Sequence, residues 1–205
     1  SRALLEISSC FSRSWISGVA RVLPDGRLGR LGWKAGVPSV AEFVRDATFN
    51  ELGLSLAEQQ GLTFGSTKDD DDVPDPEISA ADLEDVAFFL SHLGAPARSS
   101  ADPLLEATGS EVFVTVGCAA CHTPSLPANG GIEVHLFSDL LLHDVAADGA
   151  VGIADGPASM REFRTSPLWG IARTAPYMHA GSAETAEDAI SQHAGEAKAS
   201  VVSRA

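Results

Sequence analysis

The amino-acid sequence predicts a mainly α fold with a loop-rich N-terminal segment. Apolar residues recur at helical spacing in four stretches, and capping residues open each stretch. No internal repeat and no convincing set of alternating strands competes with them.

The first helix follows Pro38. Ser39 and Glu42 make an S-x-x-E capping box, and Val40, Phe43, Val44 and Ala47 form one apolar face. The second begins at Ser79, with Asp82 in the capping position. Leu83, Val86, Ala87, Leu90 and Leu93 form its stripe, and Gly94 and Pro96 stop it. The third starts after Asp102 with Pro103 in its first turn, and carries Leu104, Leu105, Val112, Phe113 and Val116 up to Gly117. A fourth runs from about Ala186 to His193, capped by Thr185, with Glu187 and Asp188 in its first turn.

Between the first two helices, Lys68 to Pro76 is polar and punctuated by prolines. It reads as an exposed linker, and a domain boundary is expected near Pro96. The run Asp69 to Asp72 reads as a solvated acidic surface. A calcium loop is the alternative, although the EF-hand spacing is absent. Residues 123–157 are rich in glycine, proline and aspartate and read mostly as loop. Residues 1–95 offer few helices and a glycine-rich stretch from Gly26 to Gly36, so they are expected to bury little core alone. Leu28, Leu31 and Trp33 would then form a patch for a partner.

The 205 residues suffice for one large domain or two small ones, and 44% hydrophobic with 20% charged residues is a globular balance. A net charge of -14 disfavours nucleic acid and anionic membranes, and suits a basic protein partner. No apolar run approaches the ~18 residues needed to span a bilayer. Ser1 is neither a translation start nor the start of a signal peptide, so the chain reads as processed, truncated or partial.

Of three cysteines, Cys10 stands alone, so no disulfide framework is expected. The other two lie in Gly117-Cys118-Ala119-Ala120-Cys121-His122, a C-x-x-C-H motif. Two intervening residues let both sulfurs reach the two vinyl groups of one haem, and the adjacent histidine can then ligate the iron. The amphipathic helix before the motif is what a cytochrome c-like haem domain places there. A thioredoxin-like redox pair would need a βαβ setting, and a zinc site would need two more ligands. The expected cofactor is thus one haem c. Its thioether bonds form outside the cytoplasmic membrane, so a periplasmic or otherwise extracytoplasmic location is expected. Candidates for the second axial ligand are His135, His143, His179, His193, Met160 and Met178. His193 gains from its place at the end of an amphipathic helix.

Segment 164–182, RTSPLWGIARTAPYMHAGS, resembles a stretch of the bacterial di-haem cytochrome c peroxidases. It resembles still more closely their relatives, the di-haem oxidoreductase family, also called thiol oxidoreductase-like. GRLGWKA at 29–35, FSDLLLHD at 137–144 and AISQHAGEA at 189–197 extend the likeness over nearly the whole chain.

The resemblance implies that Cys118, Cys121 and His122 form the family's second, C-terminal haem site. Its distal methionine corresponds to His193, fourteen positions after His179, which implies bis-histidine ligation and a low-spin, low-potential centre. It further implies a calcium held by the main-chain carbonyls of Thr174 and Pro176, with an ordinary loop as the alternative. Arg161 and Arg164 become candidates to pair with haem propionates, and Trp33 a candidate electron relay between two haems.

This sequence departs from the family in carrying one C-x-x-C-H motif. Residues 1–95 are accordingly expected to be the remnant of a first, peroxidatic haem domain plus an acidic linker, and 96–205 the C-terminal haem domain. Its expected partners are the missing first haem domain or another haem-bearing chain, and a small redox protein as electron donor. The expected function is electron transfer as the C-terminal half of a di-haem peroxidase-like oxidoreductase. The alternative is a mono-haem carrier or accessory subunit without peroxidase activity.

Overall fold

The computed structural model describes residues 16–97, 102–150 and 152–198. Cys10, Ser1 and the C-terminal Val201 to Ala205 lie outside the described residues.

The chain opens with a hairpin of β1 (Arg21–Val22) and β2 (Leu28–Gly29), paired antiparallel. Its turn is closed by Asp25, whose carboxylate accepts from the Arg27 backbone N–H at 3.0 Å. Helix α1 (Val40–Asn50) starts as its capping box predicts, with Ser39 Oγ accepting from Glu42 N at 3.2 Å. Helix α2 (Ala80–Ser91) repeats the device with Ser79 and Asp82 N at 3.2 Å. The two helices pack through Val44, Leu56 and Leu83, with Val40, Phe49, Ile78 and Ala87 around them. Residues before 96 therefore bury a small core of three buried side chains. The loop between the helices supplies Leu56 and Ile78, which periodicity does not mark.

Helix α1 also buries polar groups. Glu42 is fully buried and takes both ends of the Arg27 guanidinium at 2.6 and 2.9 Å. Arg45, likewise buried, donates to the carbonyls of Ala57 and Phe64 at 2.9 Å each, which closes the connecting loop over the helix.

Helix α3 (Pro103–Thr115) is capped by Asp102, whose carboxylate accepts from Leu104 N at 2.8 Å. It ends two residues before Gly117 and runs into a 3-10 turn, Cys118–Ala120. A hairpin of β3 (Leu126–Pro127) and β4 (Glu133–Val134) follows. Strand β5 (Leu142–Asp144) then pairs antiparallel with β6 (Glu162–Arg164). On its other side Leu142 bridges to Val19, and Ala35, Leu142 and Ala158 form a second buried cluster. Arg21 reinforces this join through Asp155 at 2.7 and 2.9 Å. Helix α4 (Ala186–Ser191) stops short of His193, where the sequence expected it to end.

The expectation of a mainly α, cytochrome c-like fold does not hold. Among the described residues, four helices share the chain with three separate two-stranded sheets and long loops. Helical periodicity locates the helices, but 19 glycines and 11 prolines confine them to a minority of the chain. The strands are two or three residues long, too short for alternation to register.

Candidate functional site

The C-x-x-C-H segment leaves α3 through Gly117, at φ 90°, and places Cys118 and Cys121 half-buried on a tight turn closed by His122 N donating to Cys118 O at 3.0 Å. The returning segment 137–145 runs alongside. Asp139 N donates to Cys121 O and Ser138 N to Thr123 O, each at 2.9 Å. Phe137 packs edge-on against Phe113 of α3, ring centres 5.8 Å apart.

The same Phe137 orients His122. Its carbonyl lies 3.0 Å from His122 Nδ1, which makes Nδ1 the protonated nitrogen and leaves the Nε2 lone pair for a metal. Burial holds the His122 pKa below its ordinary value, outweighing the hydrogen bond to Phe137 and keeping the ring neutral at pH 7.

Facing it is His193, just past the end of α4. Its Nδ1 lies 2.7 Å from the carbonyl of Ala189, so the same logic leaves its Nε2 available. The two ring centres are 6.5 Å apart. Two imidazoles on one metal ion, each at a metal–nitrogen distance of about 2 Å, hold their ring centres about 6 Å apart. Chain, tautomer and spacing thus fit a bis-histidine iron carried by a haem on Cys118 and Cys121.

The other candidate ligands are placed elsewhere. His143 is buried, with Nε2 2.8 Å from Asp139 and Nδ1 3.1 Å from Glu196, so both of its nitrogens are engaged. His179 stacks on Phe163 at 4.1 Å and meets the edge of Trp33 at 6.5 Å. His135 is exposed, and its carbonyl accepts from Trp169 Nε1 at 2.6 Å. Met160 is 56% exposed, and Met178 holds a left-handed φ of 66° in the loop before His179.

The arginines divide. Arg161 closes on Asp144 at 3.0 and 3.1 Å and on Asp148 at 2.6 Å, so its guanidinium already has carboxylate partners. Among the described residues Arg164 donates to carbonyls, of Gly32 at 2.9 Å and of Thr165 at 3.2 Å. Burial pushes its pKa below the ordinary value, and among the described residues no carboxylate pairs with it. Of the two, Arg164 is the one suited to an incoming propionate.

Trp33 is half exposed, and its carbonyl accepts from Arg164 N at 2.8 Å, which brings the GRLGWKA and RTSPL segments together. Sequence reasoning missed that His179 and Phe163 complete an aromatic stack beside it. Beneath them, Lys34 Nζ lies 3.5 Å from the Phe163 ring centre. Thr174 and Pro176 lie exposed in the loop after Gly170. In the acidic linker, Asp69, Asp71 and Glu77 converge within 4.8 Å. Each already accepts from a backbone N–H, of Asp71, Val73 and Ser55 respectively, which accounts for the cluster as turn chemistry. No helix among the described residues is long and apolar enough to cross a membrane.

No curated protein and no solved structure matches the chain. The family model for di-haem oxidoreductase, putative peroxidase, matches residues 23–204, a span that takes in the Trp33 segment, the C-x-x-C-H turn and the His193 turn alike. By that match over most of its length, the chain belongs to the di-haem oxidoreductase, putative peroxidase family.

Proposed function

We propose that this chain transfers electrons through one covalently bound, bis-histidine, low-spin haem c, as the C-terminal half of a di-haem peroxidase-like oxidoreductase. Cys118 and Cys121 would hold the ring by thioether bonds, and His122 and His193 the iron. When bound, the haem supplies the one-electron chemistry.

The observation that carries this reading is the pair of facing imidazoles. Each has Nδ1 tied to a main-chain carbonyl, and their ring centres are 6.5 Å apart. With His122 and His193 both on the iron, the haem would have no open position for peroxide. The role therefore falls to electron transfer, and peroxide chemistry to the family's other haem. Arg164 is suited to balance a propionate, and Trp33 to carry electrons toward a first haem domain. That domain, or another haem-bearing chain, would dock where Leu28 and Trp33 are 40% and 50% exposed. The electron donor would be a small redox protein, and the attachment chemistry assigns the periplasm or another extracytoplasmic space. Thr174 and Pro176 would offer carbonyls to a calcium between the two haem domains.

The single C-x-x-C-H motif in 205 residues favours one second reading, a mono-haem carrier or accessory subunit without peroxidase activity. Protein matured with haem attached tests both. The oxidised spectrum should be low-spin, His193→Ala should turn it high-spin, and His193→Met should raise the reduction potential. The chain alone should turn over peroxide no faster than free haem. A low-spin spectrum untouched by His193→Ala rejects the ligand assignment. Peroxide turnover by the 205-residue chain rejects the electron-transfer role. The complete gene product, weighed and assayed for haem, separates the half-enzyme from the mono-haem carrier.

A further inference from the structure

One buried charged group ties the segment beside His122 to the turn that carries His193, and contacts neither proposed ligand through its ring nitrogens. His143 sits in β5, 2% exposed, and both ring nitrogens lie against carboxylates. Nε2 is 2.8 Å from Asp139, itself 6% exposed, and Nδ1 is 3.1 Å from Glu196, 18% exposed. A neutral imidazole has one N–H and can donate to only one of them, so this geometry calls for the doubly protonated ring. The second contact of Nδ1 is Cys121 Sγ, at 3.7 Å.

The two carboxylates belong to opposite sides of the site. Asp139 is hydrogen-bonded through its backbone N–H to Cys121 O, and it lies two residues after Phe137, the residue that orients His122. Glu196 lies three residues after His193, in the turn that carries that ring. This turn has two further ties to segment 137–145. Ala194 N donates to Val145 O at 3.0 Å, and Gly195, at φ +53°, passes so close to Asp144 O that an added Cβ would lie 2.3 Å from it. Glu196 also accepts from Ser17 N at 3.0 Å. Among the described residues, His143 thus links the His193 turn to segment 137–145, which orients His122, by charge-assisted bonds at both ends.

We propose that His143, held between Asp139 and Glu196, is a positioning residue that clamps the His193 turn onto the C-x-x-C-H segment and sets how firmly the second imidazole stays on the iron. The proposal rests on the reading that His122 and His193 are the axial ligands. A six-coordinate haem binds an external ligand only when one of its own has let go, so loosening the clamp should open the iron without touching either ligand.

Carbon monoxide added to the reduced, haem-loaded protein reads this directly. Glu196→Ala, at the less buried end of the clamp, should bind it at least about tenfold faster than the unaltered protein, since it removes a hydrogen bond to a charged group. The covalent haem content should not change. Glu196→Gln keeps an oxygen that accepts from His143 and Ser17, and should recover most of the difference, remaining about threefold faster. A purely architectural role would change the unfolding midpoint and leave carbon monoxide binding alone. If Glu196→Ala binds at the unaltered rate, the clamp is wrong. If Glu196→Ala does not fold, Glu196→Gln decides, and equality with the unaltered protein overturns the proposal. His193→Ala is the control and should bind at once. Should it behave like the unaltered protein, the ligand reading fails and the clamp with it. Should it bind fast while the Glu196 variants do not, the clamp alone fails.

Discussion

Helices α1 and α3 differ by two residues in length and are both well capped, yet they are held in different ways. Helix α1 buries Glu42, Val44, Arg45 and Thr48, and packs on α2 around Leu56 and Leu83. Helix α3 buries no residue, and Leu104, Leu105, Val112 and Val114 are each more than half exposed. Its ties include the continuous passage into the Cys118 turn and the edge-on contact of Phe113 with Phe137. One region is thus a small protein core with a polar buttress. The other is a frame of main-chain hydrogen bonds around two cysteines and two histidines, in which the proposed haem would supply the apolar surface that side chains supply around Leu56. Stability and cofactor chemistry should therefore separate by region under mutation.

The largest effect is expected in the second region. Cys118→Ser with Cys121→Ser should abolish covalent attachment, so that acidified organic solvent extracts all the haem and the intact mass falls to that of the polypeptide. Haem retained through that extraction would break the comparison at its root.

Next comes the core of the first region. Leu56 is fully buried, and Leu56→Ala should cost about 3 kcal/mol in denaturant unfolding. The low-spin spectrum of the folded protein should be unchanged. A spectral change would show that the two regions are coupled.

Glu42→Gln removes one charge from the buttress and should cost about 2 kcal/mol at neutral pH, because the hydrogen bonds to the Arg27 guanidinium weaken. Burial pushes the Glu42 carboxyl up, but Arg27, the Thr63 N–H and Ser39 together hold it below the ordinary 4.5. A depressed carboxyl contributes stability above its unfolded value, and that contribution fades as pH falls through the folded one. The difference between the unaltered protein and Glu42→Gln should therefore shrink on acidification below about 4.5. A difference that grows in acid would reverse the sign of the argument.

The smallest effect is expected in α3. Leu105, 69% exposed, should tolerate Leu105→Ala within about 0.5 kcal/mol in the haem-free chain. A larger loss would show that this face of α3 is held by protein packing after all.

Much of this organisation was legible in the residues. Ser39, Ser79, Asp102 and Thr185 each cap the helix that the sequence assigns to them, because a cap is a contact between near neighbours in the chain. Apolar stripes were a poorer guide. Leu83 is buried as its place in the α2 stripe suggests, but Val86, Leu90 and Leu93 in the same stripe are exposed, since periodicity marks a face without saying how much of it is covered. The mainly α expectation failed for a related reason: two-residue strand pairs leave no periodic trace, and their pairing depends on where loops return.

By itself the sequence determined the C-x-x-C-H motif, on which the proposed haem attachment rests, and the helix starts. C-x-x-C-H, S-x-x-E and D-P are local patterns whose geometry is set by a few consecutive dihedrals. Membership of the di-haem oxidoreductase family follows from residues spread over 23–204. Only the tertiary structure decided which of six candidate ligands faces His122, that Arg161 is engaged by Asp144 and Asp148 while Arg164 is not, and that His143 joins Asp139 to Glu196. Each of those turns on a contact across the chain, 17 positions from Arg161 to Asp144 and 53 from His143 to Glu196. The path of the glycine- and proline-rich loops brings them together; the fourteen-residue spacing from His179 singles out His193 by resemblance, but does not encode that path.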